Sequence, residues 1–355
     1  MREYRDGDEQ AIFDLAKAVN GDIISKEAWL EQWNWKYRRN PAGKSFTWFA
    51  EDGGRLAGQY TVNPVMMEFN GQDVLGAQSV DTMTHPEYRR QKIFETLAKK
   101  VYEDAAAAGV ALLFGFPNRF SYSGFVEKLG WSDVSAHRAL LKPFNVRHMA
   151  SGFSGNALVR LAGTAGLWTL SNFIYRIGNH PHISGAEIKR ISRFDERADY
   201  LWQKVKTSYK ITVKRDRAYL NWRYAQVPGI TYHLYTAEAR GELLGYCVFR
   251  CEKQSGCLVG RIFDLVAPLD QPQITMLLVN RALEVFREEN ADFALYRLIA
   301  PRELYRALRR SGFFSLPFIG EDVRFITRAL SPAIPIQEIG ERKNWLVQTG
   351  DSDAL

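Results

Sequence analysis

The sequence predicts an α/β fold built as a tandem duplication of one unit, and three observations carry that reading. The chain has 355 residues, more than one hydrophobic core usually organises, and is 46% hydrophobic and 13% aromatic, enough for two cores. Signature residues recur at equal distances. Trp35-Lys-Tyr lies 23 residues before Gly58, and Trp222-Arg-Tyr lies 23 residues before Gly245; Pro86 to Gly130 and Pro268 to Gly312 are both 44 residues. Chance agreement at two separate spacings is improbable, so the second half reads as a copy of the first. Finally, Val80–Trp131 alternates strand, turn, helix, buried strand and helix, the rhythm of an α/β unit.

The elements follow in order. Glu3–Arg5 reads as a first edge strand. Asp8 is placed to N-cap a helix Glu9–Val19, whose Ile12, Leu15, Ala16 and Val19 form one apolar stripe. Ser25 caps a second helix, Lys26–Tyr37; its Trp29, Trp33 and Trp35 are expected to pack it on the sheet, and Asn40-Pro41 ends it. A strand Phe46–Glu51, a Gly53-Gly54 turn and a long strand Leu56–Phe69 come next. Asn70-Gly71 signals a tight hairpin into the strand Val74–Thr84. Pro86 ends that strand, and the turn His85–Lys92 gathers Arg89, Arg90 and Lys92 at the entrance to a helix Ile93–Ala108. A helix N-terminus offers unpaired N–H groups and a positive dipole end, so three cations there suit a phosphate or pyrophosphate. A buried strand Val110–Phe116, a helix Phe120–Leu129 stopped by Gly130, and a strand Ser135–Leu141 that completes the domain close the unit.

Strand, His-Pro-Glu-Tyr-Arg (85–89), six-residue turn and helix, followed by Asn118 and a helix ending Glu-Lys-Leu-Gly-Trp (127–131), resemble the acetyl-CoA-binding region of the GNAT superfamily of N-acyltransferases. The family turn is Arg/Gln-x-x-Gly-x-Gly/Ala; Arg89 is in place, whereas Lys92 and Phe94 occupy the small-residue positions. The resemblance implies two GNAT-like domains, each with a central mixed, mostly antiparallel sheet flanked by helices. It implies acetyl-CoA as co-substrate, with Met83 and Thr84 supplying backbone contacts, Arg89, Arg90, Gln91, Lys92, Ile93 and Phe94 the phosphate loop, and Asn118 a further contact. Acetyl transfer to a primary amine, by direct attack in a ternary complex, is the implied reaction. Asp81 is the candidate base, weighed against a carboxylate merely bonded to its neighbours. The family's thiolate-protonating tyrosine falls here on Val126. Tyr122, one turn earlier, is the candidate acid, weighed against simple packing and against water.

Residues 1–144 are expected to form the acyl-CoA-binding domain, 145–190 a linker, 191–330 a degenerate second copy and 331–355 a tail whose last six residues, from Gly350, are acidic. The linker carries the apolar stretch Ala157–Tyr175, interrupted by Gly163, Gly166 and Asn172. It reads as a packed linker helix or as a peripheral membrane contact, with Trp168, Phe173 and Tyr175 beside Arg160 and Arg176. After Pro268 the second copy offers Leu-Asp-Gln, so a pyrophosphate would meet Asp270 instead of arginines. Some tandem members of the superfamily place a chain terminus in the active site, which keeps the tail in view.

The net charge of +7 and pI of 9.2 admit an anionic partner, but Lys and Arg are scattered, which disfavours nucleic acid. His137, His148, His180 and His182 show no metal spacing, and His85 reads as a loop residue. Cys247, Cys251 and Cys257 read as free thiols, with a Cys251–Cys257 bridge as the alternative. The polar start MREYRDGDEQ suggests no signal peptide, hence a cytoplasmic protein. The acceptor stays open among an amino sugar or sugar nucleotide, an aminoglycoside-like compound and a peptide or amino-acid amine, with the first favoured. A non-catalytic acyl-CoA-binding scaffold and a tRNA-dependent aminoacyl or peptidyl transferase are the rival readings, and the oligomeric state is open.

Overall fold

A computed structural model describes residues 1–21, 24–145, 157–178, 181–315 and 323–353. Two eight-stranded sheets organise them. The first half contributes β1 (Arg2–Glu3), α1 (Glu9–Asn20), α2 (Lys26–Tyr37), β2 (Phe46–Asp52), β3 (Arg55–Phe69), β4 (Gln72–Thr84), α3 (Ile93–Ala107), β5 (Leu112–Gly115), α4 (Gly124–Lys128, a wide π-type turn), β6 (Ser132–Ala136) and β7 (Arg138–Pro143). After α5 (Ala157–Gly178), the second half repeats that order. It runs β8 (Ala186–Ile191), α6 (Arg197–Val205), β9 (Ile211–Val213), α7 (Arg217–Leu220, continued by a wide turn to Ala225), β10 (His233–Ala239), β11 (Glu242–Gln254), β12 (Cys257–Val266), α8 (Pro272–Glu288), β13 (Phe293–Ile299), α9 (Arg302–Arg310), β14 (Phe314–Ser315) and β15 (Arg324–Ala329). Only β9 has no counterpart; α10 (Ile336–Gly340) and β16 (Val347–Gln348) follow.

Local chemistry sets most boundaries. Ser25 Oγ accepts from Ala28 N–H at 3.3 Å and starts α2. Asn70 and Gly71 both take left-handed φ values, +50° and +88°, giving the tight turn that pairs Phe69 with Gln72. Ser255-Gly256 does the same in the second copy. Asp8 departs from its expected role: its carboxylate takes Arg2 at 2.7 and 2.8 Å and Arg5 N–H at 2.7 Å, so it ties β1 to α1 without capping the helix.

The sheets exchange their last strands. The first runs β1-β2-β3-β4-β5-β15-β6 and the second β14-β7-β13-β12-β11-β10-β8. In each, one parallel pair (β4/β5, β12/β13) is followed by a strand from the other half, antiparallel to both its neighbours. The strand expected over Ser135–Leu141 is therefore two strands: β6 stays at home, the chain breaks at His137, and β7 enters the other sheet. A further link joins the halves, since β9 pairs with β3; β8, which pairs with β10 of its own half, begins inside the stretch 145–190 expected to be linker.

Trp35 also departs from expectation. Trp29 and Trp33 pack with Phe13, Tyr4 and Tyr37, but Trp35 points away from them and stacks on Trp222 with ring centroids 4.9 Å apart. Each indole N–H donates to the other residue's carbonyl, at 2.7 and 2.9 Å. Positions two apart on a helix face nearly opposite ways, so one helix serves both halves. Helix α5 rests on β7 and α9, with Ser171 donating to the Gly312 carbonyl at 2.7 Å. Leu170, Phe173 and Ile177 stay exposed along it, and no helix of the described residues is long and apolar enough to cross a membrane.

Candidate active site

The β3–β4 register slips between Gln59 and Thr61, so Asp81 and Thr82 share the place opposite one residue of β3. Asp81 takes φ +45° at this bulge. Its carboxylate accepts from Lys36 Nζ at 3.0 Å and from the Tyr37 hydroxyl, both on the last turn of α2. Lys36 also meets Asp353 of the tail at 3.3 Å. Burial alone would raise the Asp81 pKa, but the Lys36 charge and the Tyr37 bond outweigh it and hold the carboxyl below its usual range. Burial and the adjacent Asp81 push the Tyr37 hydroxyl well up, so it keeps its proton. Gln59 donates to the Asp81 carbonyl at 3.2 Å, while its own Oε1 and the Thr82 Oγ1 are buried with no partner among the described residues.

The second copy repeats this arrangement and then seals it. Tyr224, the counterpart of Tyr37, donates to Asp264 on β12 at 2.9 Å. Asp264 is bound by Arg215 at 3.0 and 3.1 Å, and Arg215 grips Asp351 of the tail through two bonds of 2.9 Å. Where β12 and β13 part, β16 pairs with β13 and inserts Gln348. The Gln348 amide donates to Asp264 at 2.8 Å and accepts the Leu265 backbone N–H at 2.9 Å. Asp264 is fully buried, whereas the Asp81 side chain is 39% exposed. Of these two carboxylates, Asp81 at its bulge and Asp264 beside the second copy's, only the first is exposed to solvent.

Beyond β4, Pro86–Tyr88 forms a single 3-10 turn, and His85 is a loop residue whose Nε2 lies 2.7 Å from Arg55 Nη2 and whose Nδ1 lies 3.3 Å from the Glu87 backbone nitrogen. Arg90 (φ +66°) and Lys92 (φ +58°) both adopt left-handed backbone, so the loop takes the shape its small residues would give without having them. Arg89, Arg90, Gln91 and Lys92 are exposed, and none of the three cations pairs with a carboxylate of the described residues. Ile93 opens α3 against Gly58, where an added Cβ would lie 2.6 Å from Ile93 Cγ2. Phe94 turns inward to Phe125 (5.2 Å) and Tyr60 (5.8 Å); Gly124 leaves room, since a Cβ there would come within 3.0 Å of the ring. Its bulk is thus housed in the core and leaves the loop clear.

The remaining sequence candidates separate. Asn118 Oδ1 accepts from Phe120 N–H, Ser121 N–H and the Ser121 hydroxyl, and so organises the turn into α4. Tyr122 donates to Asp133 on β6 at 2.8 Å, and Asp133 also holds Arg324 at 2.9 Å. The bond to Asp133 pushes the Tyr122 pKa up. Strands β5 and β15 lie between β6 and β4, roughly 14 Å of sheet at 4.7–4.9 Å per strand, so Asp81 and Tyr122 belong to different hydrogen-bond groups. Met83 is buried on the strand end beside Thr84. Lys36, Tyr37, Gln59 and Thr82 escaped the sequence reading; only the repeat of Trp-Lys-Tyr as Trp-Arg-Tyr hinted at the first two.

A cavity of about 630 Å³ borders this group, lined by Tyr37 and Gln59 together with the acids Glu3, Asp6 and Asp104 and the bases Arg38 and Lys44. Among the described residues no three His, Cys, Asp or Glu side chains come together as metal ligands, and the three cysteines are free thiols.

Residues 1–134 match the family model described as an acetyltransferase (GNAT) domain. No curated protein matches the sequence. Among solved structures, a probable N-acyltransferase from Enterococcus faecalis V583 is 13% identical with a TM-score of 0.64, the match covering 93% of this chain and 71% of that one. A tandem GNAT protein from the clavulanic acid biosynthesis pathway is 13% identical with a TM-score of 0.54, covering 93% and 98%. Saccharomyces cerevisiae N-myristoyltransferase with bound myristoyl-CoA is 12% identical with a TM-score of 0.58, covering 91% and 80%. At these identities the structural likeness is one of fold, and the fold is shared with enzymes of acyl transfer.

Proposed function

We propose that this chain, a two-copy GNAT-fold protein whose residues 1–134 are a GNAT domain, is an N-acyltransferase that moves an acetyl group from acetyl-CoA to a primary amine. The observation that carries the reading is the 89–94 loop. Three cations without carboxylate partners among the described residues surround the N-terminus of α3, and β4 leads from there to the one reachable bulge carboxylate. Adjacent phosphates of CoA suit that loop through charge and the free first-turn N–H groups. The small-residue departures at Lys92 and Phe94 are absorbed by left-handed backbone and by the Gly124 gap, so they do not argue for a scaffold.

The amine enters from the cavity beside Tyr37 and Gln59, whose lining carries both acids and bases and so suits a polar acceptor. Asp81, ionised at neutral pH, accepts a hydrogen bond from its ammonium, and the unpartnered Gln59 Oε1 takes a second. A carboxylate held below its usual range is a weak proton store, so Asp81 orients the amine and passes its proton to water. The freed amine attacks the thioester carbonyl, the C–S bond breaks, the nitrogen gives its second proton to water as the amide forms, and the thiolate takes a proton from water, because Tyr122 is committed to Asp133.

Calorimetric titration of acetyl-CoA tests the reading. Wild type should bind in the micromolar range, and Arg89→Ala/Arg90→Ala should lose about 10- to 100-fold, as two charge-assisted phosphate contacts would. Equal affinity in the two proteins would place the cofactor elsewhere and remove the proposal.

A further inference from the structure

A second cavity, of about 500 Å³, opens in the other half of the chain. Six of its eight lining residues are cationic: Arg138, Arg302, Arg306, Arg309, Arg342 and Lys343. Lys343 meets Glu341 at 2.6 Å; no carboxylate of the described residues pairs with any of the five arginines. Like charges gathered around one concavity repel unless something neutralises them, and no lining residue does so here. The Arg342 Nε is buried without a partner among the described residues.

The duplication shows what this corner lacks. In the first copy Arg324 lies over the Tyr122 ring at 5.4 Å, and both groups are bound by Asp133. In the second copy Arg138 of the exchanged strand lies over the Tyr305 ring at 5.6 Å, a similar contact, with Tyr305 one residue past Leu304, the position that matches Tyr122. The position equivalent to Asp133, by the spacing that relates Gly130 to Gly312, is Ser315. The Tyr305 hydroxyl receives Arg342 at 3.1 Å instead of giving its proton to a carboxylate. One copy neutralises its arginine internally; the other replaces the acid with more cation. The cations come from β7, α9 and the turn after α10, which is why they look scattered in the sequence. Arg302, Arg306 and Arg309 fall on one face of α9, three and four residues apart.

We propose that this cavity is an anion site for a ligand carrying adjacent phosphate groups, separate from the 89–94 loop. Guanidinium forks match phosphate oxygens in pairs, and a volume of this size suits a small polyphosphorylated molecule or a phospholipid headgroup. Inorganic tripolyphosphate and vesicles carrying phosphatidylinositol 4,5-bisphosphate, whose headgroup bears adjacent phosphates, distinguish those two sources. Titration and vesicle flotation are run on wild type, on Arg306→Glu/Arg309→Glu and on Arg89→Ala/Arg90→Ala. Both changed α9 arginines are exposed, and equal thermal melting verifies that the variant is folded.

Binding of either probe that survives the 89–90 substitutions and weakens at least about tenfold in the α9 variant supports the site and names its source. Failure of both probes to bind at low salt, or equal binding to the α9 variant, overturns it. A short single-stranded RNA that binds more than about a hundredfold tighter than tripolyphosphate, and is lost in the α9 variant, would also overturn it, making the arginines a nucleic-acid surface.

Discussion

Asp81 combines a left-handed backbone, a reachable carboxylate and a lysine partner, and each has a separable consequence. Asparagine tolerates the same backbone but carries no charge. Asp81→Asn should lower kcat/KM for the amine by about 100-fold, the lower end of what a positioned proton-handling group supplies, while acetyl-CoA affinity stays unchanged by calorimetry. Loss of both would make the residue structural. His137, where the chain leaves one sheet for the other, carries a pH signature. It is buried, its Nε2 has no partner among the described residues, and burial with Arg297 and Arg342 nearby lowers its pKa to about 3. Between that value and 6.5 the unfolded chain binds a proton that the folded chain refuses. Stability should therefore fall as pH drops through this window, by up to about 5 kcal/mol from this residue. Urea titrations from pH 7 to pH 4 should show a smaller loss in His137→Phe. At this scale the sequence is legible where function is local: the cations of one turn are adjacent in the chain. Lys36 and Gln59 meet Asp81 only after α2 docks and β3 pairs with β4, so no spacing announces them.

Helix α2 shows what periodicity conveys and where it stops. Its ends were readable from Ser25 and Asn40-Pro41, but tryptophans on opposite faces do not reveal that one face belongs to a second domain. Trp35→Ala and Trp222→Ala should each cost about 3–5 kcal/mol. Because each indole stacks on and bonds to the other residue, the double mutant should cost less than the sum, with a coupling of about 1–3 kcal/mol in urea unfolding. Strict additivity would mean that the stack is incidental. The exchanged strands carry a matched pair of basic side chains. Arg328 of β15 donates to the Leu129 and Gly130 carbonyls at the end of α4, and Lys142 of β7 lies beside Gly312 at the end of α9. Each half thus places a cation at the negative end of the other half's helix. Lys142 is wholly buried there with Ser171 as partner, and its pKa drops to about 7.

Over the whole molecule, the duplication was legible because it preserves spacings, and the two copies differ where a site was expected to be lost. The route of that loss was not legible. Asp270 in the second turn suggested a weakened loop, whereas the structure also fills the gap between β12 and β13 with Gln348 and the tail. The strand exchange was hidden for a related reason: β7 and β15 suit either sheet, because both sheets descend from one pattern. Each half depends on the other for an interior strand. A fragment spanning residues 1–156 should therefore be insoluble or lack a cooperative melt when expressed alone, and regain both when co-expressed with residues 157–355. Independent folding of the first fragment would mean that β15 is dispensable.

The exchange also fixes a timetable for synthesis. On the ribosome, β5 and β6 emerge with the slot between them vacant, and the strand that fills it lies about 190 residues downstream of Ala136. At 5–20 residues per second, that is roughly 10–40 s during which the first half carries two open strand edges. Open edges recruit other strands, so the nascent first half is the moment of greatest exposure to aggregation and to chaperone capture. In kinetic terms the second copy is the delayed closing piece of the first.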